Sequence, residues 1–335
     1  MSIDEELTQK HQGKNINNSC ICEICPDYCT IDNYQAGQCG VISNQNGRLV
    51  DLGTLAAAGY EPIEKKPIFH FYPGSLTYSI GLRGCHLACS FCRNYELSQG
   101  DPRNGTSLPS PEGVVESAIK GNARIICFTF TEPLVHYKFV IQVSKLAREQ
   151  GLKTVLLTSG YASERIWNYV IAHVDAVKID IKGIDESTYK ENTRGSLLPV
   201  VRNIKTAINK EIWVECSLLI RHPSLSSEHF SLQAIEILQQ YANEDTPVHI
   251  QRFFPSARSS HEDPGNLVEL SRISQYLMLS GMKYVYGDLL GNDCNVTICP
   301  KCQTLLVARS ITWNIQNHIR GNHCPKCNSM IAGRW

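Results

Sequence analysis

The run Gly84-Cys85-His86-Leu87-Ala88-Cys89-Ser90-Phe91-Cys92 sets three cysteines at C-x3-C-x2-C spacing. Thiolates are soft ligands that suit iron–sulfur clusters and zinc. A cubane cluster normally takes four cysteines. No fourth follows at short range here, so one iron would stay open to an outside ligand. Two blander readings stand beside this one. The first is a zinc site completed by His86 or a distant cysteine. The second is a buried helix face, because i, i+4, i+7 is also helical spacing. Gly84 and the polar interruptions argue against the helix.

Two further groups of cysteines flank this run. In the tail, Cys299-x2-Cys302 and Cys324-x2-Cys327 lie about 20 residues apart, the pattern of a four-cysteine zinc site. A second cluster is the alternative there, and Cys294 and His323 are alternative ligands. A closed metal site would supply folding energy to a segment too small for its own core. Such a segment could bind nucleic acid, dock a protein or cap the rest of the chain. In the head, Cys22, Cys25, Cys29 and Cys39 follow C-x2-C-x3-C-x9-C, where zinc and an auxiliary iron–sulfur cluster fit equally. Cys20 is a spare or replacement ligand. Cys127 and Cys216 sit in strand-like runs and read as small buried hydrophobes.

Of the 335 residues, 42% are hydrophobic and 19% charged, an ordinary globular composition. Lys+Arg and Asp+Glu are 32 each, so nothing draws the whole chain to nucleic acid or an anionic membrane. The opening residues carry no apolar h-region, and no apolar run approaches the roughly 20 residues of a membrane span. A cytoplasmic location without membrane contact is expected. Thiols stay reduced there, so the 15 cysteines point to metal or cluster ligation rather than disulfides.

These groups need elements to position them. Strand-like runs recur at Leu76–Leu82, Ile125–Thr129, Thr154–Leu157, Ala176–Ile181, Ile212–Ile220, Val248–Phe253 and Tyr284–Tyr286. Helical spacing fills the gaps, at Pro111–Lys120, Leu134–Gln150, Ser163–His173, Pro199–Lys210, Phe230–Tyr241 and Asn266–Leu279. Such alternation predicts a parallel sheet wrapped by helices. The expected fold is α/β: a partial (β/α)6-type TIM barrel with a Cys-rich N-terminal extension and a zinc-ribbon-like C-terminal extension. The expected division is 1–60, 61–292 and 293–335. In a barrel the chemistry sits on loops after the strands, and the C-x3-C-x2-C run directly follows the first one. Glu64-Lys65-Lys66 reads as a solvated charge run, with a family resemblance given below as the one reason to suspect a substrate role, and Ser256–Gly265 as a loop and lid without a catalytic triad.

C-x3-C-x2-C after the first strand resembles the signature of the radical S-adenosylmethionine (radical SAM) superfamily, over roughly Leu76 to Tyr286. The resemblance implies a [4Fe-4S] cluster on Cys85, Cys89 and Cys92, with S-adenosylmethionine on the open iron. It implies that Phe91 contacts the adenine. The family often has Gly-Gly-Glu after its second strand; here the segment is Thr131-Glu132-Pro133, which keeps the carboxylate and lacks the glycines. Ser159, in Thr158-Ser159-Gly160, falls near the ligand. Lys178-Ile179-Asp180-Ile181-Lys182 resembles the Asp-Leu-Lys segment of pyruvate formate-lyase activating enzymes. Asp180 and Lys182 would then position the cofactor. His249 and Arg252 match polar positions near cofactor or substrate, although a lone strand histidine is as often a packed residue.

A closer resemblance, to the radical enzyme of the AmmeMemoRadiSam system, is carried by Pro62-Ile63-Glu64-Lys65-Lys66-Pro67, by Phe71-Tyr72-Pro73-Gly74-Ser75 and by the head and tail cysteine motifs with Ala332-Gly333-Arg334-Trp335. It implies an enzyme that cleaves S-adenosylmethionine to a 5′-deoxyadenosyl radical, which takes hydrogen from a substrate the resemblance does not name. The electron would come from a donor such as ferredoxin or flavodoxin, and the proteins of that system are candidate partners. One alternative is an activase that makes a glycyl radical on a protein partner. Another, from a different class, is a non-enzymatic multi-metal protein for electron transfer or nucleic-acid binding.

Overall fold

The structure is a computed structural model that describes residues 18–221, 227–255, 267–287, 296–310 and 312–335. Its centre is an eight-stranded sheet. Strands Leu76–Leu82, Ile125–Phe128, Lys153–Thr158, Ala176–Ile181, Trp213–Ile220, Val248–Arg252 and Val285–Tyr286 pair in parallel, each beside the next in sequence. Apolar residues dominate these runs because both faces are covered; all four residues of Ile125–Phe128 are buried. Helices fill every crossover, and their ends carry the expected signals. Ser110 accepts from the Gly113 amide ahead of Pro111, and Ser163 accepts from the Ile166 amide. Gly151, at φ +73°, turns the chain out of Tyr137–Glu149. A parallel sheet bent with helices outside is the mixed α/β architecture read from the sequence, and its strands match those runs to within a residue or two.

Two elements that were not anticipated bear on the site. Leu55–Pro62 pairs antiparallel with Leu76–Leu82 and forms one sheet edge, opposite Val285–Tyr286. The sheet therefore begins before residue 61. Glu186–Thr193 forms a helix capped by Asp185, although its sequence has no apolar stripe. One expectation is overturned. Glu64 is fully buried and Lys66 is 5% exposed, so only Lys65 of that charge run faces solvent. The turn Ile63–Lys65 folds the run inward, and Glu64 accepts from the Gly74 amide at 2.7 Å. Ser256–Gly265 lies outside the described residues.

The tail forms a three-stranded antiparallel sheet, Val296–Ile298, Leu305–Arg309 and Ile315–Asn317. It shares a small core with Phe69, Tyr284 and Tyr286. Buried Glu215 organises the contact. It accepts from the amides of Phe69 (2.9 Å) and His70 (2.8 Å) and from Trp213 Nε1 (3.1 Å), and it pairs with His249 Nε2 (2.7 Å). Burial alone would raise its pKa, but His249 and these donors hold it down, to about 2. Arg309 then donates to the Phe69 carbonyl (2.7 Å) and to Thr297 (2.9 Å). Backbone pairing joins His70 and Tyr72 to Arg334.

Candidate active site

The C-x3-C-x2-C loop is fixed from several sides. Gly84 opens it at φ +106°, and a Cβ there would lie 2.6 Å from Val41 of the head. Both the left-handed backbone and the contact require glycine. Gly84→Ala should destabilise the fold by about 1–3 kcal/mol, measured by urea unfolding. The unanticipated helix holds the loop's middle: the Thr193 carbonyl accepts from the Ala88 amide and the Asn192 carbonyl from the Ser90 amide, both at 3.0 Å. Gln99 Nε2 donates to the carbonyls of Cys85 and Leu87. Phe91 is buried, with the Arg221 guanidinium 5.2 Å from its ring centre.

The three cysteines of this loop and all seven candidate cofactor contacts, Phe91, Glu132, Ser159, Asp180, Lys182, His249 and Arg252, line one cavity of about 590 Å³. That size accommodates a cofactor-sized molecule. Glu132 is 2% exposed. It accepts from Thr158 Oγ1 (2.6 Å), Ser159 N (2.9 Å) and Ser159 Oγ (2.6 Å), with His86 Nε2 at 3.6 Å. Burial works against its charge, but His86, Ser159 and Thr158 prevail and lower its pKa. Asp180 takes Lys178 at 2.6 Å, Lys182 at 3.0 Å and the Ser217 hydroxyl. Here too burial opposes ionisation, and the two lysines hold the carboxyl well below its ordinary range. His249 lines the cavity while its Nε2 is engaged by Glu215. Arg252 lies 4.4 Å and Arg93 5.6 Å from the Phe254 ring centre.

The donor set fits a cluster better than the single-ion alternative. His86 points Nε2 at Ser159 and Glu132, not at the cysteines. Burial pushes the Cys89 thiol up to about 11 against the pull of Lys182, so ligation rather than solvent would deprotonate it. Among the described residues, the four tail cysteines are the group whose ligand atoms all lie within 4.8 Å of one another. Cys299–Cys327 and Cys302–Cys324 each stand at 3.6 Å. Ligands 2.3 Å from one tetrahedral ion are about 3.8 Å apart, so that group fits one metal ion. His323 is not part of it, and Cys294 lies outside the described residues.

In the head, Cys22, Cys25, Cys29 and Cys39 are electrostatic neighbours. After burial, each of Cys22, Cys25 and Cys39 is raised by at least one other member of the set. The head rests on the loop after Lys153–Thr158, where Ser163 donates to the Ile24 and Glu23 carbonyls and Tyr161 to Asp27. Sequence reasoning passed over Ser217, Glu61 and Trp313 and read Lys66 as solvated; all four line the same cavity. Glu215 and Ser217 alternate with apolar neighbours on Trp213–Ile220, a period-2 signal that could have marked that strand as Ala176–Ile181 was marked.

Residues 79–230 match the Radical SAM superfamily. An uncharacterised protein of Methanocaldococcus jannaschii is 35% identical over 325 residues, covering 94% of this chain and 96% of that protein. A pyruvate formate-lyase-activating enzyme of Clostridium pasteurianum is 28% identical over 158 residues, covering 42% of this chain and 61% of that enzyme. Among solved structures, a domain of a pyruvate-formate lyase-activating enzyme from Bacteroides vulgatus is 15% identical with a TM-score of 0.42, covering 48% of this chain and 96% of that one. With its loop cysteines and candidate cofactor contacts gathered in one cavity, the chain carries a radical SAM superfamily domain at residues 79–230, is homologous to pyruvate formate-lyase activating enzymes, and belongs to the same family as the Methanocaldococcus jannaschii protein.

Proposed function

We propose that Cys85, Cys89 and Cys92 hold a [4Fe-4S] cluster whose open iron takes the amino and carboxylate groups of S-adenosylmethionine. When bound and reduced, that cluster supplies the electron that breaks a carbon–sulfur bond and yields a 5′-deoxyadenosyl radical. The protein's part is orientation and shielding. Lys182, steadied by Asp180, meets the cofactor's carboxylate; Glu132 and Ser159 face its amino group; the Phe91 backbone faces the adenine. His249 and Arg252 lie toward the substrate. The observation that carries this reading is the convergence of three thiols and these polar groups on one cavity.

The test is anaerobic incubation of reconstituted, reduced protein with cell extract and labelled S-adenosylmethionine. Label should reach 5′-deoxyadenosine and hydrogen should be lost from one partner molecule. A protein with intact cluster that releases no 5′-deoxyadenosine contradicts the reading.

The four tail cysteines we read as a structural zinc site in a zinc-ribbon-like segment. The Ser329 hydroxyl and amide bring the Cys327 thiol down to about 6, which favours ligation at neutral pH. Cys302→Ser should release about one zinc per chain and lower the melting temperature, read by elemental analysis and calorimetry; iron at this site contradicts the assignment. The head we read as a second metal site of zinc or iron–sulfur type. Its motifs, with those of the tail, lie outside residues 79–230 and support placement in the AmmeMemoRadiSam family.

A further inference from the structure

We propose that Lys66, steadied by Glu61, is the substrate-binding end of the cavity and takes a carboxylate or phosphate oxyanion of a small molecule. The proposal rests on the reading of the opposite end as the cofactor site.

Lys66 comes from a run that should be solvated, yet it is 5% exposed. Its ammonium pairs with Glu61 and stands 4.6 Å from the centre of the Phe130 ring. Burying a lysine ammonium against a partly exposed Glu61 gains little or no stability over an apolar residue of the same size. A packing role does not require this pair, whereas a cavity that must bind a charge does. An ammonium has three donors; among the described residues Glu61 is its hydrogen-bond acceptor, so it retains capacity for an oxyanion.

Position supports the same conclusion. Lys66 follows one edge strand of the sheet, Leu55–Pro62, and Gly287 follows the other, Val285–Tyr286; both line the cavity that holds the cysteines. The cavity therefore continues past the cofactor residues to the open seam of the partial barrel. Trp313, from the four-cysteine segment, stands there too. Neither Lys66 nor Trp313 belongs to residues 79–230, the part that matches the superfamily. Among the described residues at this end of the cavity are Lys65, Lys66 and one carboxylate, Glu61, which pairs with Lys66. Among the described residues these three groups leave one net positive charge, which suits an oxyanion, and Phe130 and Trp313 line the same cavity.

The test uses reconstituted holoprotein with S-adenosylmethionine bound, titrated with benzoate and with inorganic phosphate and followed by tryptophan fluorescence; Trp313→Phe assigns the signal. Lys66→Met should weaken binding about tenfold or more, the loss of one hydrogen bond to a charged group, and Lys66→Arg should restore most of it. Glu61→Gln should tighten binding, an effect that a purely structural pair would not produce. It also serves if Lys66→Met fails to fold. Equal binding by wild type and Lys66→Met, or no binding by wild type whose cluster spectrum still shifts with S-adenosylmethionine, overturns the proposal and leaves the cofactor reading intact. No spectral shift in wild type overturns the cofactor reading itself. Finally, the low-mass fraction of cell extract should stimulate 5′-deoxyadenosine formation; stimulation confined to the protein fraction overturns the small-molecule assignment.

Discussion

Cys89→Ala protein, reconstituted and reduced without oxygen, should form no 5′-deoxyadenosine above the protein-free background. Cys89 is 8% exposed and packs in the main core, on a loop whose backbone is held by Asn192 and Thr193 and by the hydrogen bond from the Cys92 amide to the Cys89 carbonyl. Removing its sulfur leaves that scaffold in place while one corner of the cluster loses its ligand. The loop has no spare thiol to take over: Ser90 and Ser98 are the adjacent polar groups, and Ser98 already contacts Cys92. The expected signature is loss of the cluster's visible absorption together with the activity, while far-ultraviolet circular dichroism stays that of the wild type. Activity retained in this variant would sink the assignment of Cys89 as a ligand.

Glu215→Ala should be the most damaging single change away from the cysteines, at about 3–5 kcal/mol, the range for removing one partner of a buried charged pair. The reason is the set of donors that converge on this carboxylate: two amides of the 69–70 segment, the Trp213 indole and His249. Each would lose the acceptor it now has in a buried space. Glu215→Gln keeps the shape and one acceptor, so a smaller loss is expected. Denaturant unfolding of both variants measures the order. The Ala variant should also free the tail, exposing Cys302 and Cys327 to thiol reagents sooner than in the wild type.

The contrast between these two residues shows what could be read beforehand. The cysteines announce themselves by type and spacing, and Asp180 and Lys182 by alternation on a short strand. Glu132 is legible only through the family resemblance, as the carboxylate kept where the glycines before it are absent. Glu215 is one carboxylate in an apolar strand, and its partners come from residues 69–70 and 249, which no local pattern joins to it. The same holds for Leu55–Pro62, whose Ala-Ala-Ala-Gly centre lacks the β-branched residues that mark strands. Glu186–Thr193 is legible only through its cap, since it buries little more than Tyr189 and Thr193. Glu64 and Lys66 mislead for a physical reason: charge near charge is normally solvated, and here the turn at Ile63–Lys65 brings Glu64 to the donating Gly74 amide and Lys66 to the Glu61 carboxylate.

The pairing of residues 70–72 with residues 332–334 bears on assembly. The His70 ring reaches the Ala332 carbonyl at 2.7 Å across a sequence separation of 262. So long a closure is entropically slow to find, and it can form only after nearly all the intervening chain has emerged. The sheet's middle strands, each beside its sequence neighbour, can zip up earlier. Completion of the seam around the cavity would therefore be the last event of folding, timed by whatever ion draws the four distal sulfurs together.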